Sequence, residues 1–405
     1  MARIKPFPAL LPNPDEAPRI CELPYDVMSS AEAREMARGN PLSFLRVSKP
    51  EIDLPESIDP HDPAVYAKGA ENFQRLMAER HLVTHPRPAL FLYRQIMGRH
   101  IQLGLVAIAR CADYQRGLIK KHELTRPDKE DDRVRHMEAL QAQTGPVFLT
   151  YPADDILDAQ FAAHATTPPA IDFTAPDGVR HTSWILEDPA DIQTVVDRFD
   201  SFPSLYIADG HHRSAAAARV ADRLGHDTHA GWFLAVLFPH NQLRVWPYNR
   251  ALKDLNGRTA AQLLEQLDAI FVLGKAESPS PSRQHELALY LEGAWQRLTF
   301  RPKFAATQDP LETLDVTLLQ TYVLDPIFGI DDPRTSERIT FIGGIRGTGE
   351  LEKRVNSGEF ACAFSMFPTR IEDLMAISDQ GGLMPPKSTW FEPKLRDAMF
   401  CHLIG

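Results

Sequence analysis

Residues 204–225, SLYIADGHHRSAAAARVADRLG, are the stretch from which the fold can be predicted. The apolar run before Asp209 is typical of a buried strand, and the alanine-rich run after Arg213 predicts a helix. Gly210 lies in the turn between them, and Gly225 marks the end of the helix. A strand that leads through a glycine turn into a helix is a building unit of α/β proteins. We therefore predict an α/β (α+β) fold.

Further elements are predicted on both sides of this unit. The apolar runs ALFLYRQI (residues 89–96) and QLGLVAIARCA (residues 102–112) flank Met97-Gly98-Arg99-His100, which is typical of a hairpin turn. The other predicted elements before residue 255 are a helix over residues 129–142, a strand over 146–151, and a strand pair in WFLAVLF (232–238) and QLRVWPY (242–248).

The chain has 405 residues, which is too long for one core of ordinary size, and we predict three parts. They are an N-terminal segment 1–85, a core 86–255 with an insertion at 152–203, and a C-terminal α/β domain 256–405 that ends in an ordered tail. Apolar periodicity predicts helices over residues 63–80 in the first part and over 259–270 and 284–296 in the last.

Composition excludes several classes of protein. Hydrophobic residues make up 43% and charged residues 24% of the chain, which is ordinary for a globular protein. The four cysteines lie far apart without a CxxC pair, so we expect reduced thiols rather than disulfides or a zinc ribbon. The N-terminus lacks the apolar core of a secretion signal, and no run of about 18 apolar residues occurs. We therefore expect a cytoplasmic protein without a membrane partner.

The net charge of −10 makes nucleic acid a poor partner, because an acidic chain repels the phosphate backbone. A homodimer is left open by the sequence.

The turn Asp209-Gly210-His211-His212-Arg213 is the first candidate site. The unpaired amides at the start of the predicted helix, at the positive end of the helix dipole, stabilise anions such as phosphate. Gly210 allows the backbone to approach a ligand closely, and Arg213 is suited to bidentate phosphate contacts. Asp209 could cap the helix or hold a magnesium ion.

The second candidate is Glu123, which follows His122 in the charged segment Lys120–Thr125. A carboxylate at the end of a strand can serve as a general base toward a hydroxyl group. Histidines here also raise the question of a metal. However, Arg126 breaks the HExxH spacing, and the adjacent His211 and His212 should point in divergent directions. We therefore predict no tightly held metal ion.

The C-terminal tail GGLMPPKSTWFEPKL (residues 381–395) is rich in proline and glycine and is basic. Its density of such residues favours an ordered loop, and Lys387, Ser388, Thr389 and Lys394 are candidates for binding an anionic substrate.

Several motifs in order resemble the prokaryotic domain-of-unknown-function 1015 family over nearly the whole chain. They are PYDVM, NPLSFLRV, YRQ…GR, IKKHELTRPDKEDDR, GPVFLTY, LYIADGHHRSAA and MPPKSTWFEPKL. Residues 86–255 are also similar to the ParB/sulfiredoxin-like fold, and particularly to its free-serine kinases, which phosphorylate L-serine with ADP or ATP. This resemblance implies a ParB/sulfiredoxin-like core with an N-terminal extension and a C-terminal α/β domain.

The resemblance also implies roles for individual residues. Glu123 matches the catalytic base beside His122, and the segment from Gly210 to Arg213 matches the nucleotide phosphate-binding turn that Asp209 precedes. His211 replaces the cysteine of sulfiredoxins, which disfavours sulfinic-acid reduction, and no helix-turn-helix of the ParB type is found. The implied function is a nucleotide-dependent phosphotransferase that uses ATP or ADP with Mg²⁺ on a small hydroxylated substrate.

Two alternatives stay open at this point. One is a metal-assisted phosphoester hydrolase that uses Asp209, His211 and His212. The other is a regulatory protein that binds a nucleotide at the turn without transferring phosphate.

Overall fold

The segment 204–225 forms a strand and a helix, as predicted, in the computed structural model of the chain, which describes residues 1–405. The strand covers Leu205–Asp209 and the helix covers His211–Leu224. Around this unit the chain divides into two compact units, one of residues 1–243 with 393–405 and the other of residues 244–392. The predicted part boundaries, at 85/86 and 255/256, differ from these.

The structure is of the mixed α/β class, with twenty-one strands and thirteen α-helices. The strands are β1 (Ile4–Lys5), β2 (Leu10–Pro12), β3 (Leu82–Thr84), β4 (Leu90–Met97), β5 (His100–Arg110), β6 (Ile119–Lys120), β7 (Ala142–Gln143), β8 (Val147–Tyr151), β9 (Ile171–Thr174), β10 (Arg180–Leu186), β11 (Leu205–Asp209), β12 (Trp232–Pro239), β13 (Val245–Trp246), β14 (Tyr248–Leu252), β15 (Phe271–Lys275), β16 (Glu286–Leu291), β17 (Ala294–Phe300), β18 (Ile339–Gly343), β19 (Cys362–Ser365), β20 (Trp390–Phe391) and β21 (His402–Leu403). The helices are α1 (Ala17–Ile20), α2 (Ser30–Met36), α3 (Leu45–Ser48), α4 (Pro63–Ala78), α5 (Cys111–Gln115), α6 (Pro127–Leu140), α7 (Asp155–His164), α8 (Pro189–Phe199), α9 (His211–Leu224), α10 (Ala260–Asp268), α11 (Asp315–Leu319), α12 (Thr348–Asn356) and α13 (Ile371–Asp379). None of the helices combines the length and the apolar character needed to cross a membrane.

The first unit is built on a nine-stranded sheet with the order β6-β11-β8-β12-β5-β4-β10-β9, and β1 pairs with β5. Two neighbouring pairs are parallel, β6 with β11 and β8 with β12, and the other pairs of the sheet are antiparallel. The predicted N-terminal segment belongs to this unit because β1 is one of its strands. The predicted insertion at 152–203 supplies β9 and β10, so it enlarges the sheet at one edge.

The hairpin between β4 and β5 has the turn that the sequence predicts. Met97 pairs with His100 across a two-residue loop that starts with Gly98. Gly98 has a φ of 61°, the left-handed conformation that a hairpin turn with glycine in the first loop position requires.

Part of the core of the first unit lies between the sheet and α9. The buried face of α9 consists largely of alanines, of which Ala216, Ala217 and Ala221 are fully buried together with Val220. Small side chains let the helix axis approach the sheet closely, and β12 contributes larger residues such as Leu237. Burial of a side chain of the size of Leu237 contributes about 1.5–3 kcal/mol. This packing fixes the start of α9 against the sheet.

The second unit contains a six-stranded sheet with the order β15-β17-β16-β19-β14-β18. The predicted helix over residues 284–296 is wrong, because this stretch forms the hairpin of β16 and β17. Leu291 pairs with Ala294, and the two loop residues Glu292 and Gly293 have φ values of 47° and 80°. Two positive φ values are what a two-residue hairpin turn of type I′ needs, and strand pairing overrides the helix propensity of the leucines and alanines.

The predicted pairing of QLRVWPY with the preceding strand is also wrong. β13, within that run, pairs with β20, whereas β12 pairs with β5 and β8.

Candidate functional site

The candidate site lies at one edge of the first unit's sheet, where two parallel strands end. Leu205 of β11 pairs with Ile119 of β6, and Tyr206 pairs with Lys120. The carboxyl ends of parallel strands meet at the same edge of a sheet. The residues that follow β6, among them Glu123, are therefore brought beside the turn that follows β11, although the two segments are far apart in sequence.

The turn after β11 offers backbone amides that have no acceptor within the helix. Gly210 precedes the helix with a φ of 96°, in the left-handed region that favours glycine. The first amide bonded along α9 is that of Ser214, which donates to the carbonyl of Gly210 at 3.0 Å. The amides of His211, His212 and Arg213 come before it in the first turn of the helix, where backbone N–H groups have no helical acceptor. This end of the helix can therefore accept an anion.

Both carboxylate oxygens of Asp209 accept hydrogen bonds. One carboxylate oxygen accepts from the amide of Gly210 at 2.7 Å, and the other accepts from the Lys394 ammonium at 2.9 Å. Burial alone would raise the pKa of the Asp209 carboxyl, but the positive charges of Lys394 and Arg213 outweigh it and hold this pKa well below its usual range. Asp209 is thus ionised at neutral pH and anchors the lysine of the returning C-terminal segment.

His122, Glu123 and His211 form a cluster of possible ligand atoms that lie within 4.8 Å of one another. The rings of His122 and His211 meet edge to face, with centroids 4.5 Å apart. These two side chains are only 2% and 6% exposed, while Glu123 is half-buried. Glu123 is therefore the most solvent-accessible residue of this cluster.

The two buried imidazoles are neutral at pH 7. Burial lowers the pKa of His122 to about 4, despite a hydrogen bond to the backbone of Ile207. Burial and the neighbouring His122 lower the pKa of His211 well below its usual value. The buried Nδ1 of His122 and Nε2 of His211 have no hydrogen-bond partner.

The side chains of Arg213 and His212 make their contacts with other residues of the protein. The guanidinium of Arg213 is 6% exposed, donates to the carbonyl of Pro146, and lies 3.8 Å from the Asp26 carboxylate, while its Nε is buried without a partner. Burial opposes the charge of Arg213, but Asp26 and Asp209 raise its pKa. His212 is half-buried, and its Nε2 accepts from the amide of Arg126 at 3.1 Å.

Lys387, Ser388 and Thr389 belong to the second unit. Lys387 is exposed, and its ammonium lies 5.2 Å from the centre of the Tyr248 ring. Ser388 is buried, and its hydroxyl donates to the carbonyl of Pro385 at 2.6 Å. The predicted role of these three residues in substrate binding stays a prediction.

Sequence reasoning missed two features beside the turn. One is the ion pair of Lys394 with Asp209, because the sequence suggested Lys394 only as a contact for an anionic substrate. The other is the stacking of the Arg133 guanidinium on the ring of Tyr25, 3.7 Å from its centre, next to Asp26. The motif PYDVM contains this tyrosine and aspartate and was the available signal.

Comparisons with solved structures give distant likenesses. A free serine kinase in complex with AMP is 14% identical, with 71% of this chain and 86% of that chain covered and a TM-score of 0.36. A conserved hypothetical protein from Pyrococcus furiosus is 14% identical, with coverages of 75% and 96% and a TM-score of 0.34. SbnI with a C-terminal truncation, from Staphylococcus aureus, is 9% identical, with coverages of 72% and 85% and a TM-score of 0.38. Likenesses at TM-scores this low carry no argument about function.

The sequence itself gives a firmer assignment. No curated protein matches the chain significantly. The family model described as "Protein of unknown function (DUF1015)" matches residues 4–317. Because this match spans well over half of the sequence and confirms the family expected from the motifs, the chain is a member of the DUF1015 family.

Proposed function

We propose that this protein is a nucleotide-dependent phosphotransferase that phosphorylates the hydroxyl group of a small metabolite. Free L-serine is the first acceptor to test, and ADP or ATP is the donor, because these follow from the motif resemblance. The observation that carries the proposal is the proximity of the Glu123 carboxylate to the first turn of α9, with ligand atoms of Glu123 and His211 within 4.8 Å.

Glu123 is the proposed general base. In the transfer, the acceptor oxygen attacks the terminal phosphorus, the bond from phosphorus to the bridging nucleotide oxygen breaks, and Glu123 takes the hydroxyl proton. A positioned base contributes about 10²- to 10⁴-fold to the rate. Burial keeps its two histidine neighbours neutral at pH 7, because it lowers the pKa of both rings.

The start of α9 is the proposed binding site of the transferred phosphate. Gly210, with a φ of 96°, carries no side chain over the turn, so the backbone can approach a ligand closely. The amides of His211 and His212 would donate to phosphate oxygens, and the positive end of the helix would stabilise their charge. Arg213 and Lys394 add positive charge from within the protein. In this arrangement catalysis is mainly positioning and charge stabilisation.

Magnesium is expected to arrive with the nucleotide, where it neutralises charge on the phosphate oxygens. Asp209 is a poor ligand for it, because its two oxygens already accept from Gly210 and Lys394. We therefore assign no protein ligand for magnesium.

The experiment is a phosphorus-NMR screen of the purified protein with ADP or ATP, magnesium and a panel of hydroxylated metabolites that includes L-serine. A new phosphomonoester signal that depends on the acceptor supports the proposal. Glu123→Gln should reduce the rate at least a hundredfold, because the amide cannot accept the proton. Glu71→Gln on α4, at an exposed glutamate of the same unit, is the matched control and should retain the rate.

Other outcomes favour the alternatives. Saturable nucleotide binding without any phosphorylated acceptor would indicate a regulatory protein that binds the nucleotide but transfers no phosphate. Hydrolysis of phosphoesters that needs a transition metal and no nucleotide would indicate the hydrolase. The hydrolase has less support from the geometry, since Asp209 pairs with Lys394 and His212 accepts from the amide of Arg126.

A further inference from the structure

The cluster of His122, Glu123 and His211 has the donor set of a transition-metal site. Two imidazole nitrogens and one carboxylate oxygen lie within 4.8 Å of one another. Neutral imidazoles with a carboxylate bind divalent ions such as Zn²⁺, Co²⁺, Fe²⁺ or Mn²⁺. The sequence did not predict this set, because it joins a histidine and a glutamate after β6 to a histidine at the start of α9.

Two buried nitrogens in the cluster lack a partner. They are Nδ1 of His122 and Nε2 of His211, in side chains that are 98% and 94% buried. A buried polar atom left without a hydrogen bond is costly, and most such atoms in proteins have a partner. An ion that accepts both lone pairs would satisfy the two nitrogens at once.

The hydrogen bond that His122 makes to the backbone also fits a metal ligand. Its other ring nitrogen bonds the backbone of Ile207 on β11, which leaves the lone pair on Nδ1. Histidines that bind metals commonly donate their remaining N–H to a carbonyl or carboxylate, which fixes the tautomer and the ring orientation. The low pKa values of both histidines agree with this, since only the neutral ring binds a metal.

We propose that His122 Nδ1, His211 Nε2 and the Glu123 carboxylate bind one divalent transition-metal ion. Zinc–ligand bonds of about 2.0–2.1 Å place tetrahedral ligand atoms about 3.3 Å apart, so the three atoms must approach by roughly 1.5 Å at most. Three protein ligands leave a coordination position open for water or a substrate.

Metal binding at this cluster does not depend on the proposed phosphotransfer, although both use Glu123. A carboxylate that binds the ion is no longer available as a base. The metal-loaded protein should therefore transfer phosphate more slowly than the metal-free protein in the presence of magnesium. A protein without any transferase activity could still bind the ion.

The test uses the full chain without an affinity tag, dialysed against a chelator and titrated with Co²⁺. We expect one ion per chain, with visible absorption bands of low-symmetry coordination that Zn²⁺ then displaces. Calorimetric titration with Zn²⁺ should give the same stoichiometry. Glu123→Gln and His211→Asn should each weaken binding at least tenfold.

His226→Asn is the control. His226 is a half-buried histidine beyond the end of α9, it pairs with Asp222, and it lies outside the cluster. This variant should bind Co²⁺ as the unaltered chain does. If His211→Asn fails to fold, Glu123→Gln decides, because it replaces a half-buried side chain by one of the same shape. The absence of stoichiometric uptake, or equal uptake in Glu123→Gln and the unaltered chain, would overturn the proposal.

Discussion

The ion pair between Asp209 and Lys394 should contribute strongly to the stability of the first unit. The two charged atoms are 2.9 Å apart, and the side chains of Lys394 and Asp209 are 13% and 30% exposed. Exposed pairs contribute about 0.2–1 kcal/mol, whereas breaking a buried pair costs about 3–5 kcal/mol. Partial exposure places this pair between the two ranges, and we expect a coupling energy of about 2 kcal/mol.

The assay is a double-mutant cycle of Lys394→Met and Asp209→Asn, measured by urea unfolding at pH 7. Asn retains an acceptor for the amide of Gly210, so the cycle isolates the charge interaction. The matched control is the cycle of Lys68→Met and Glu71→Gln, whose charged atoms are also 2.9 Å apart but whose glutamate is 69% exposed. That control should give about 0.5 kcal/mol or less.

The pH dependence of the free energy of unfolding is a second measure of the ion pair between Asp209 and Lys394. The pKa of Asp209 is lower in the folded chain than in the unfolded chain. The stabilisation by this ion pair is therefore fully present above the ordinary pKa near 3.8 and disappears as the pH falls through the folded-state pKa. A coupling energy at pH 7 no larger than that of the control pair would refute the assigned role of Lys394.

Three further outcomes are expected. Gly210→Ala should destabilise the first unit by about 1–2 kcal/mol in urea unfolding because of its φ of 96°, while Gly349→Ala, at an uncrowded helical position, should not destabilise the chain; equal effects would contradict the strain argument. His136 donates to the carbonyl of Val47, and its pKa is about 4 in the folded chain against about 6.5 in the unfolded chain. The unfolded chain therefore binds more protons between these pH values, and the free energy of unfolding should fall as the pH drops from 6.5 to 4. His136→Gln should reduce the slope of the free energy of unfolding against pH over this range. Burial raises the pKa of all four thiols, those of Cys21, Cys111, Cys362 and Cys401. A thiol reagent should therefore label fewer than one of them per folded chain at pH 8 and all four in denaturant. Rapid labelling of the folded chain would contradict their buried placement.

Elements with a strong local signal were predicted from the sequence. The strand and helix of residues 204–225 follow from an apolar run, a glycine and an alanine-rich stretch. α4 was expected over residues 63–80 and covers Pro63–Ala78, and the hairpin at Gly98 was expected from its turn residues. In each case the signal lies within a short stretch of sequence, so local propensity and apolar periodicity are enough to predict the element.

Predictions failed where pairing between distant segments competes with local propensity. Residues 284–296 contain good helix formers, but Glu292-Gly293 forms a hairpin turn, and β16 gains a partner on each side from β17 and β19. Similarly, β13 pairs with β20, which is far along the chain, rather than with its predecessor.

The sequence by itself determined the family, the strand–turn–helix of 204–225 and the candidate residues on each side of the site. Only the tertiary structure decided that His122 and Glu123 meet His211, because their contact depends on the parallel pairing of β6 with β11. It likewise decided that Lys394 reaches Asp209, a partner 185 positions away in the chain. No local pattern encodes such contacts, because their free energy comes from the packing of whole strands and segments whose positions are fixed only when the sheet has formed.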